Sequence, residues 1–369
     1  MDNVKAESDN AITSDSERDK RGSLALDQWR GFALVLVLIS HGFFFTDRVG
    51  GIGRVGVNLF FFISGILVFR TLSRSKASTD WARARSFWWR RFRRLYPALV
   101  AYVALILPSM CWLQHLPNLP VGSSFDECFR DVWMVMFYLI NYHGGAGAPM
   151  PYGHLWSLGC EMQFYLLAPL IYLAAGSSDS RRMPIFGCLL VILVGLGAIE
   201  PLVPKILAHF KWNVVTAWKY HFEFAVWPMM AGFFCEYRRD WFLRLPLKIV
   251  NSIYWLSLVA CILSFALMTI GMEMKPLVIM AGAILLVPCQ LAYIYGKPLG
   301  GWQGGCLRWL GERTYSIYLW QQPFTICNFL PNLLHPAGAL ASVAVGAVSF
   351  RLFEFPFLSV NRQKQERAR

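Results

Sequence analysis

Three sets of polar side chains stand inside otherwise apolar runs, and each is of a type that can do chemistry. The first is Asp27, Arg30 and His41. Arg30 and His41 are 11 residues apart. That is close to three whole helical turns, so on one helix the two share a face, about 16 Å apart along the axis. Asp27 lies one turn before Arg30 and can pair with it. The face between them, Leu34, Val37 and Leu38, is apolar. Histidine has the unperturbed pKa suited to proton transfer near neutrality. The set therefore offers a proton acceptor held at a fixed distance from a cation. The same spacing also fits a plainer arrangement, an Asp–Arg pair at a helix start and a histidine near an interface.

The second set is Arg90-Arg91-Phe92-Arg93-Arg94-Leu95-Tyr96-Pro97. Lys76 is the only lysine among the cations of the surrounding 70–94 segment. Guanidinium groups make bidentate contacts with phosphate, so a phosphate-bearing cytosolic ligand is one reading. A topology signal or a contact with anionic lipid is the other. The third set is His154-Leu155-Trp156-Ser157-Leu158-Gly159-Cys160-Glu161, with Glu161 two turns beyond His154 on its face. A carboxylate at that depth must be neutral, paired or in a wet cavity. His154 and Glu161 enter from the same side as His41 and can meet it around an outward-facing pocket. A structural partnership for Glu161 is the alternative. Ser64-Gly65 suits close helix packing, and a nucleophilic role for Ser64 would require an adjacent base.

The elements that position these residues follow from composition. Of the 369 residues 56% are hydrophobic and 15% charged, against roughly 25% charged in a soluble domain. The apolar residues form long runs, and ten spans of about 20 residues each would use nearly all of them. This excludes a soluble globular enzyme, a disordered chain and a secreted disulfide scaffold. The fold class is all-α, a polytopic membrane helix bundle. Its runs fall near 24–46, 54–70, 95–114, 154–175, 184–203, 213–236, 249–271, 276–295, 312–334 and 337–357. A shorter run, Val132 to Ile140, falls below crossing length and reads as a re-entrant or surface helix before a Gly/Pro-rich outer loop, Gly144 to Gly153. With ten spans, about 26 Lys and Arg lie inside and about 6 outside, which places both termini in the cytoplasm. The formal charge of +13 is then a product of topology, with no nucleic-acid partner implied. Residues 1–23 read as a disordered cytoplasmic tail, 24–358 as the membrane domain and 359–369 as a cytoplasmic tail. Nine cysteines without a CxxC pair imply no metal site, although Cys111 and Cys128 flank an external segment where they could pair.

These features in this order resemble the acyltransferase-3 family of integral membrane O-acyltransferases. The resemblance is carried by Leu26-Asp27 with Arg30-Gly31 and His41, by Phe61 to Gly65, and by Arg91, Arg94, Leu95 and Pro97. It continues through Leu155 to Tyr165, Tyr315 to Pro323 and Phe353-Glu354-Phe355-Pro356. Three positions depart from the pattern. Gln321 stands where a histidine is common, Phe355 replaces a basic residue, and Cys160 precedes Glu161.

The resemblance implies transfer of an acyl group, usually acetyl, from cytosolic acyl-CoA to a hydroxyl. The acceptor it implies is a glycan sugar or lipid-linked glycan, and the location a bacterial cytoplasmic (inner) membrane. Acyl-CoA would be a co-substrate, with no cofactor bound permanently. The chain ends about ten residues after the last span, so no appended SGNH hydrolase domain is expected. In this scheme Arg91 and Arg94, with Arg90 and Arg93, hold the CoA phosphates. His41 is the general base, Arg30 orients the donor or Asp27, and Glu161, Trp156, His154 and Ser64 shape the acceptor side. A non-enzymatic exporter, or a subunit that flips an acyl group for a separate transferase, would share the ten spans and buried charges. Acetyl-CoA binding discriminates against the exporter.

Overall fold

A bilayer offers no water to backbone polar groups, so a spanning segment must satisfy its own N–H and C=O groups, as an α-helix does. The computed structural model describes residues 2–42, 50–113, 125–143, 152–203, 220–269, 274–325 and 335–358. Among these residues the regular elements are all helical. They are α1 (Asp2–Gly42), α2 (Gly50–Ser73), α3 (Asp80–Leu113), α4 (Phe125–Met136), α5 (Trp156–Ala174), α6 (Asp179–Ile199), α7 (Phe222–Ala225) and α8 (Trp227–Tyr237). Then follow α9 (Arg239–Leu243), α10 (Leu247–Thr269), α11 (Met274–Ile294), α12 (Gly301–Glu312), α13 (Thr314–Thr325) and α14 (His335–Ser349). A π-helical turn, Phe350–Glu354, extends α14.

Among the described residues seven stretches are long and apolar enough to cross a membrane. They are Ser16–His41, Gly51–Ser73, Asp80–Trp112, Gly153–Ala174, Asp179–Ile199, Leu247–Ser264 and Ala337–Leu358. Each overlaps one of the ten apolar runs. The runs at 213–236 and 312–334 fall partly outside the described residues, and the run at 276–295 contains the shorter apolar stretch Ala281–Ile294. The tail at 359–369 lies outside the described residues altogether, as does most of the Gly144 to Gly153 loop.

Helix α1 begins at Asp2, N-terminal of the apolar run that starts near 24. Extending an existing helix costs far less than nucleating one. The polar turns also find partners: Asp19 pairs with Arg239 at 2.6 Å, and Gly22 lies against the Tyr293 carbonyl.

The helices group into two compact units. One comprises Met1–Ser40, Phe44–Ile63 and Cys235–Thr314. Within it α1 meets α12 where two glycines remove the side chains. A Cβ on Gly31 would strike the Leu307 carbonyl oxygen, and one on Gly311 the Asp27 carbonyl oxygen. Gln28 donates to the Leu299 carbonyl at 2.9 Å and accepts from the Leu299 N–H at 2.7 Å, fixing the approach to α12. Helices α10 and α11 pack along their length.

The other unit comprises His41–Phe43, Ser64–Phe234 and Tyr315–Arg369. Here Gly65 lets α2 approach the backbone of α8 at Met229. Beside that contact Phe233 packs edge-on against Phe69 and Phe186, with ring centroids 5.0 and 5.1 Å apart. Helix α4 is amphipathic and carries the first residues of the Val132 to Ile140 run, which continues past its end at Met136. It buries Cys128, Asp131 and Val135 and exposes Phe129 and Trp133, as a helix lying along a surface does. Cys111 and Cys128 are both free, and burial pushes the Cys128 thiol up to about 12.

Candidate active site

His41 is the penultimate residue of α1, and its Nδ1 lies 3.1 Å from Gln321 Oε1 on α13. An amide oxygen only accepts, so the imidazole proton sits on Nδ1 and is donated to Gln321. Nε2 is left with its lone pair and makes no hydrogen bond among the described residues. Gln321 is fully buried, and its backbone carbonyl accepts from Thr325 Oγ1 at 2.9 Å. Its side-chain Nε2 is buried with no partner among the described residues.

Glu161 sits two turns into its span on α5, where it accepts two hydroxyls on the same oxygen. Ser64 Oγ donates to Oε1 at 2.5 Å, and the Tyr165 hydroxyl donates to the same atom. The carboxylate at this depth is therefore paired by hydrogen bonds, and Ser64 does have an adjacent acceptor. Gly65, the next residue, supplies the close approach that brings α2 to this depth of the unit.

The hydrogen bonds of the His154 ring run to α13. Its backbone N–H and ring Nδ1 both meet Gln322 Oε1, at 2.9 and 2.5 Å, while Nε2 lies 3.0 Å from the Leu319 carbonyl. The ring braces the start of α5 against α13. Ser157 and Tyr318 share a 2.7 Å hydrogen bond beside it. Trp156 is buried against Tyr220, with ring centroids 4.8 Å apart.

Arg90, Arg91, Arg93 and Arg94 line one pocket of about 290 Å³ together with Trp89, Thr71 and Phe357. That volume lies near the lower end of ordinary ligand sites, roughly 300 Å³. The four guanidinium groups differ in what holds them. Arg91 lies over the Tyr165 ring at 4.6 Å and Arg93 over Phe357 at 5.5 Å. Arg90 is exposed and meets Ser86 one turn away. Arg94 pairs with Glu354 at 3.4 Å, and Glu354 also accepts from Ser316 Oγ at 2.5 Å. Glu354 is fully buried in the π turn. Residues of α3, α13 and the π turn after α14 thus meet at one carboxylate.

Asp27 and Arg30 are half-buried on α1 within the first unit. His41, Ser64, Glu161, His154, Trp156 and the arginines all belong to the second.

The description of an acyltransferase domain matches residues 23–351. The chain belongs to the acyltransferase-3 family. It carries the family's acyltransferase domain and is built as a multi-pass helical membrane protein. It is 27% identical over 360 residues to the peptidoglycan O-acetyltransferase OatA of Listeria monocytogenes, covering 90% of this chain and 55% of that protein. It is 25% identical over 367 residues to the O-acetyltransferase OatA of Staphylococcus aureus, covering 90% of this chain and 56% of the relative. The chain therefore spans about half the length of the curated relatives it matches. No solved structure matches it.

Two contacts of the candidate site escape local sequence reasoning. Gln321 draws notice only as a departure from a pattern, yet it is the partner of His41. Glu354 has a visible signal, a carboxylate inside an apolar span, but nothing local names Arg94 as its partner.

Proposed function

We propose that the chain is an O-acyltransferase, most simply an O-acetyltransferase, that moves an acyl group from cytosolic acyl-CoA to a hydroxyl of a surface glycan. The Listeria monocytogenes relative is named a peptidoglycan O-acetyltransferase, and a polymer of that kind fits an acceptor reached from the outer side. The observation that carries the reading is the 3.1 Å contact between His41 Nδ1 and Gln321. It fixes the tautomer in which Nε2 is free to take a proton.

His41 Nε2 removes the proton from the acceptor hydroxyl as its oxygen attacks the thioester carbonyl. The tetrahedral adduct collapses and expels the CoA thiolate, which takes that proton back from the imidazolium. The products are an ester and CoA. Arg90 and Arg93, the exposed members of the pocket, meet the CoA phosphates, with Arg91 behind them on Tyr165. Arg94 is held by Glu354 and contributes to the same field. Arg30 orients the donor or Asp27, on the strength of helical spacing alone. Glu161 with Ser64, and His154 with Trp156, frame the acceptor side. In this scheme acyl-CoA is consumed as a co-substrate, and both termini lie in the cytoplasm of a bacterium whose inner membrane holds the protein.

A positioned base is worth about 10²- to 10⁴-fold in rate. His41→Ala should lose activity on that scale while inserting normally. The measurement is release of CoA from acetyl-CoA by the purified chain with peptidoglycan as acceptor, and ester-linked acetyl on the envelope of cells carrying each form. A His41→Ala protein that acylates at the normal rate overturns the mechanism.

A further inference from the structure

The amide of Gln321 has two ends, and the base uses only one. Oε1 accepts the Nδ1 proton of His41 at 3.1 Å. Nε2 carries two N–H donors, is buried, and finds no acceptor among the described residues. The residue itself is 0% exposed, so bulk solvent does not reach it. A buried, unmade hydrogen bond costs about 1–3 kcal/mol, and such vacancies in native structures call for an explanation. Here the vacancy lies on the same planar group that holds the candidate base, within a few ångströms of the imidazole. An incoming acyl group presents one strong acceptor at that place, its carbonyl oxygen. That oxygen gains negative charge when a hydroxyl attacks.

We propose that Gln321 is a catalytic residue that donates from Nε2 to the acyl carbonyl oxygen in the tetrahedral state. This rests on His41 acting as the base. As the acceptor oxygen forms its bond to the acyl carbon, the carbonyl π pair moves onto oxygen, and Gln321 holds the resulting oxyanion. When the pair returns, the donor's leaving group departs with the proton from His41. One amide thus sets the tautomer of the base and stabilises the charge that the base helps create. Donors of this kind act because they are aimed in advance at developing charge, and removing one typically costs about 10²- to 10³-fold in kcat.

Two substitutions separate the two ends of the amide. Gln321→Glu, as a carboxylate, keeps an oxygen for His41 Nδ1 but offers no donor. Gln321→His restores one donor and one acceptor on a neutral ring. Cells lacking the gene are given each form at matched membrane level, and ester-linked acetyl on the envelope is followed with time. Purified chains are compared for kcat and KM with acetyl-CoA. The expected result is a loss in Gln321→Glu of about 10²-fold or more in kcat at unchanged KM, at pH values where the introduced carboxylate is ionised, with partial recovery as falling pH protonates it. Gln321→His should stay within about tenfold of the wild type, since it keeps a donor.

A Gln321→Glu enzyme as active as the wild type would show that only the positioning oxygen matters, and would overturn the proposal. Equal loss in both variants at unchanged melting temperature would overturn it too. A third measurement uses the unaltered protein, so its outcome does not depend on a variant folding. Replacing the thioester carbonyl oxygen of acetyl-CoA by sulfur weakens the accepted hydrogen bond and should slow transfer, and equal rates would count against the donor. His41→Ala runs alongside. If it is active, the base mechanism itself has failed. If it is inactive while Gln321→Glu is active, only the role of Nε2 has failed.

Discussion

The chemistry of the second unit turns on single oxygens that serve two partners. Glu161 Oε1 accepts from both Ser64 and Tyr165, and removing the carboxylate leaves two inward hydroxyls without their acceptor. Each stranded group costs about 1–3 kcal/mol, whereas Ser64→Ala removes one donor and leaves Glu161 with Tyr165. Glu161→Ala should therefore lower the melting temperature of the detergent-solubilised chain clearly more than Ser64→Ala does. Equal shifts would mean that Glu161 is not the hub of this group. Arg94 poses the same question with charge. Its partner Glu354 is fully buried, and breaking a buried pair by removing one member costs about 3–5 kcal/mol. Arg94→Gln should therefore reduce folded yield, whereas Arg90→Ala should leave the melting temperature alone and raise the KM for acetyl-CoA. The adjacent arginines thereby divide into one that holds the fold and others free to hold a ligand.

At the scale of elements, glycine decides where helices meet. A methyl group on Gly31 would overlap the Leu307 carbonyl of α12, and one on Gly65 the Met229 carbonyl of α8. Neither obstacle is a side chain that can turn aside, so the helices must separate. Overpacking of this kind costs about 1–3 kcal/mol or more. Gly195, with nothing within 4 Å of its would-be Cβ, is the control. Gly31→Ala and Gly65→Ala should lower the melting temperature, and Gly195→Ala should leave it unchanged or raise it slightly. The glycines of Arg30-Gly31 and Ser64-Gly65 show how much of the site is legible in the sequence. Residues carrying their own local signal, His41 among apolar neighbours or four arginines in five positions, are visible without a structure. So are the apolar runs that became spans. What stays hidden is partnership. His41 and Gln321 are 280 residues apart, and Arg94 and Glu354 are 260 apart. Helical periodicity reports only neighbours three or four residues away. The start of α1 was hidden for a similar reason, since residues 16–23 are polar and pack against residues near 239 and 293.

At the scale of the whole molecule, the distribution of Lys and Arg makes a claim that two cysteines can check. The inner segments of the ten-span arrangement include 296–313, so Cys306 should face the cytoplasm. Cys111 ends the third span and should face outward. Both are exposed and free, and neither lies among the groups assigned to chemistry. Variants retaining one or the other as sole cysteine can be treated in intact cells with a membrane-impermeant maleimide. The Cys111 form should label at once, and the Cys306 form only after the membrane is opened. Both labelling from outside would mean that an even number of crossings separates them, in place of the five of the proposed arrangement. The arginine pocket depends on this outcome, because it lies at the start of the same span that Cys111 ends. If Cys111 labels from the outer side, one crossing places Arg90 to Arg94 inside, where acyl-CoA is made. If it labels only from within, the pocket faces away from the cytosol and its ligand must be something other than a CoA phosphate.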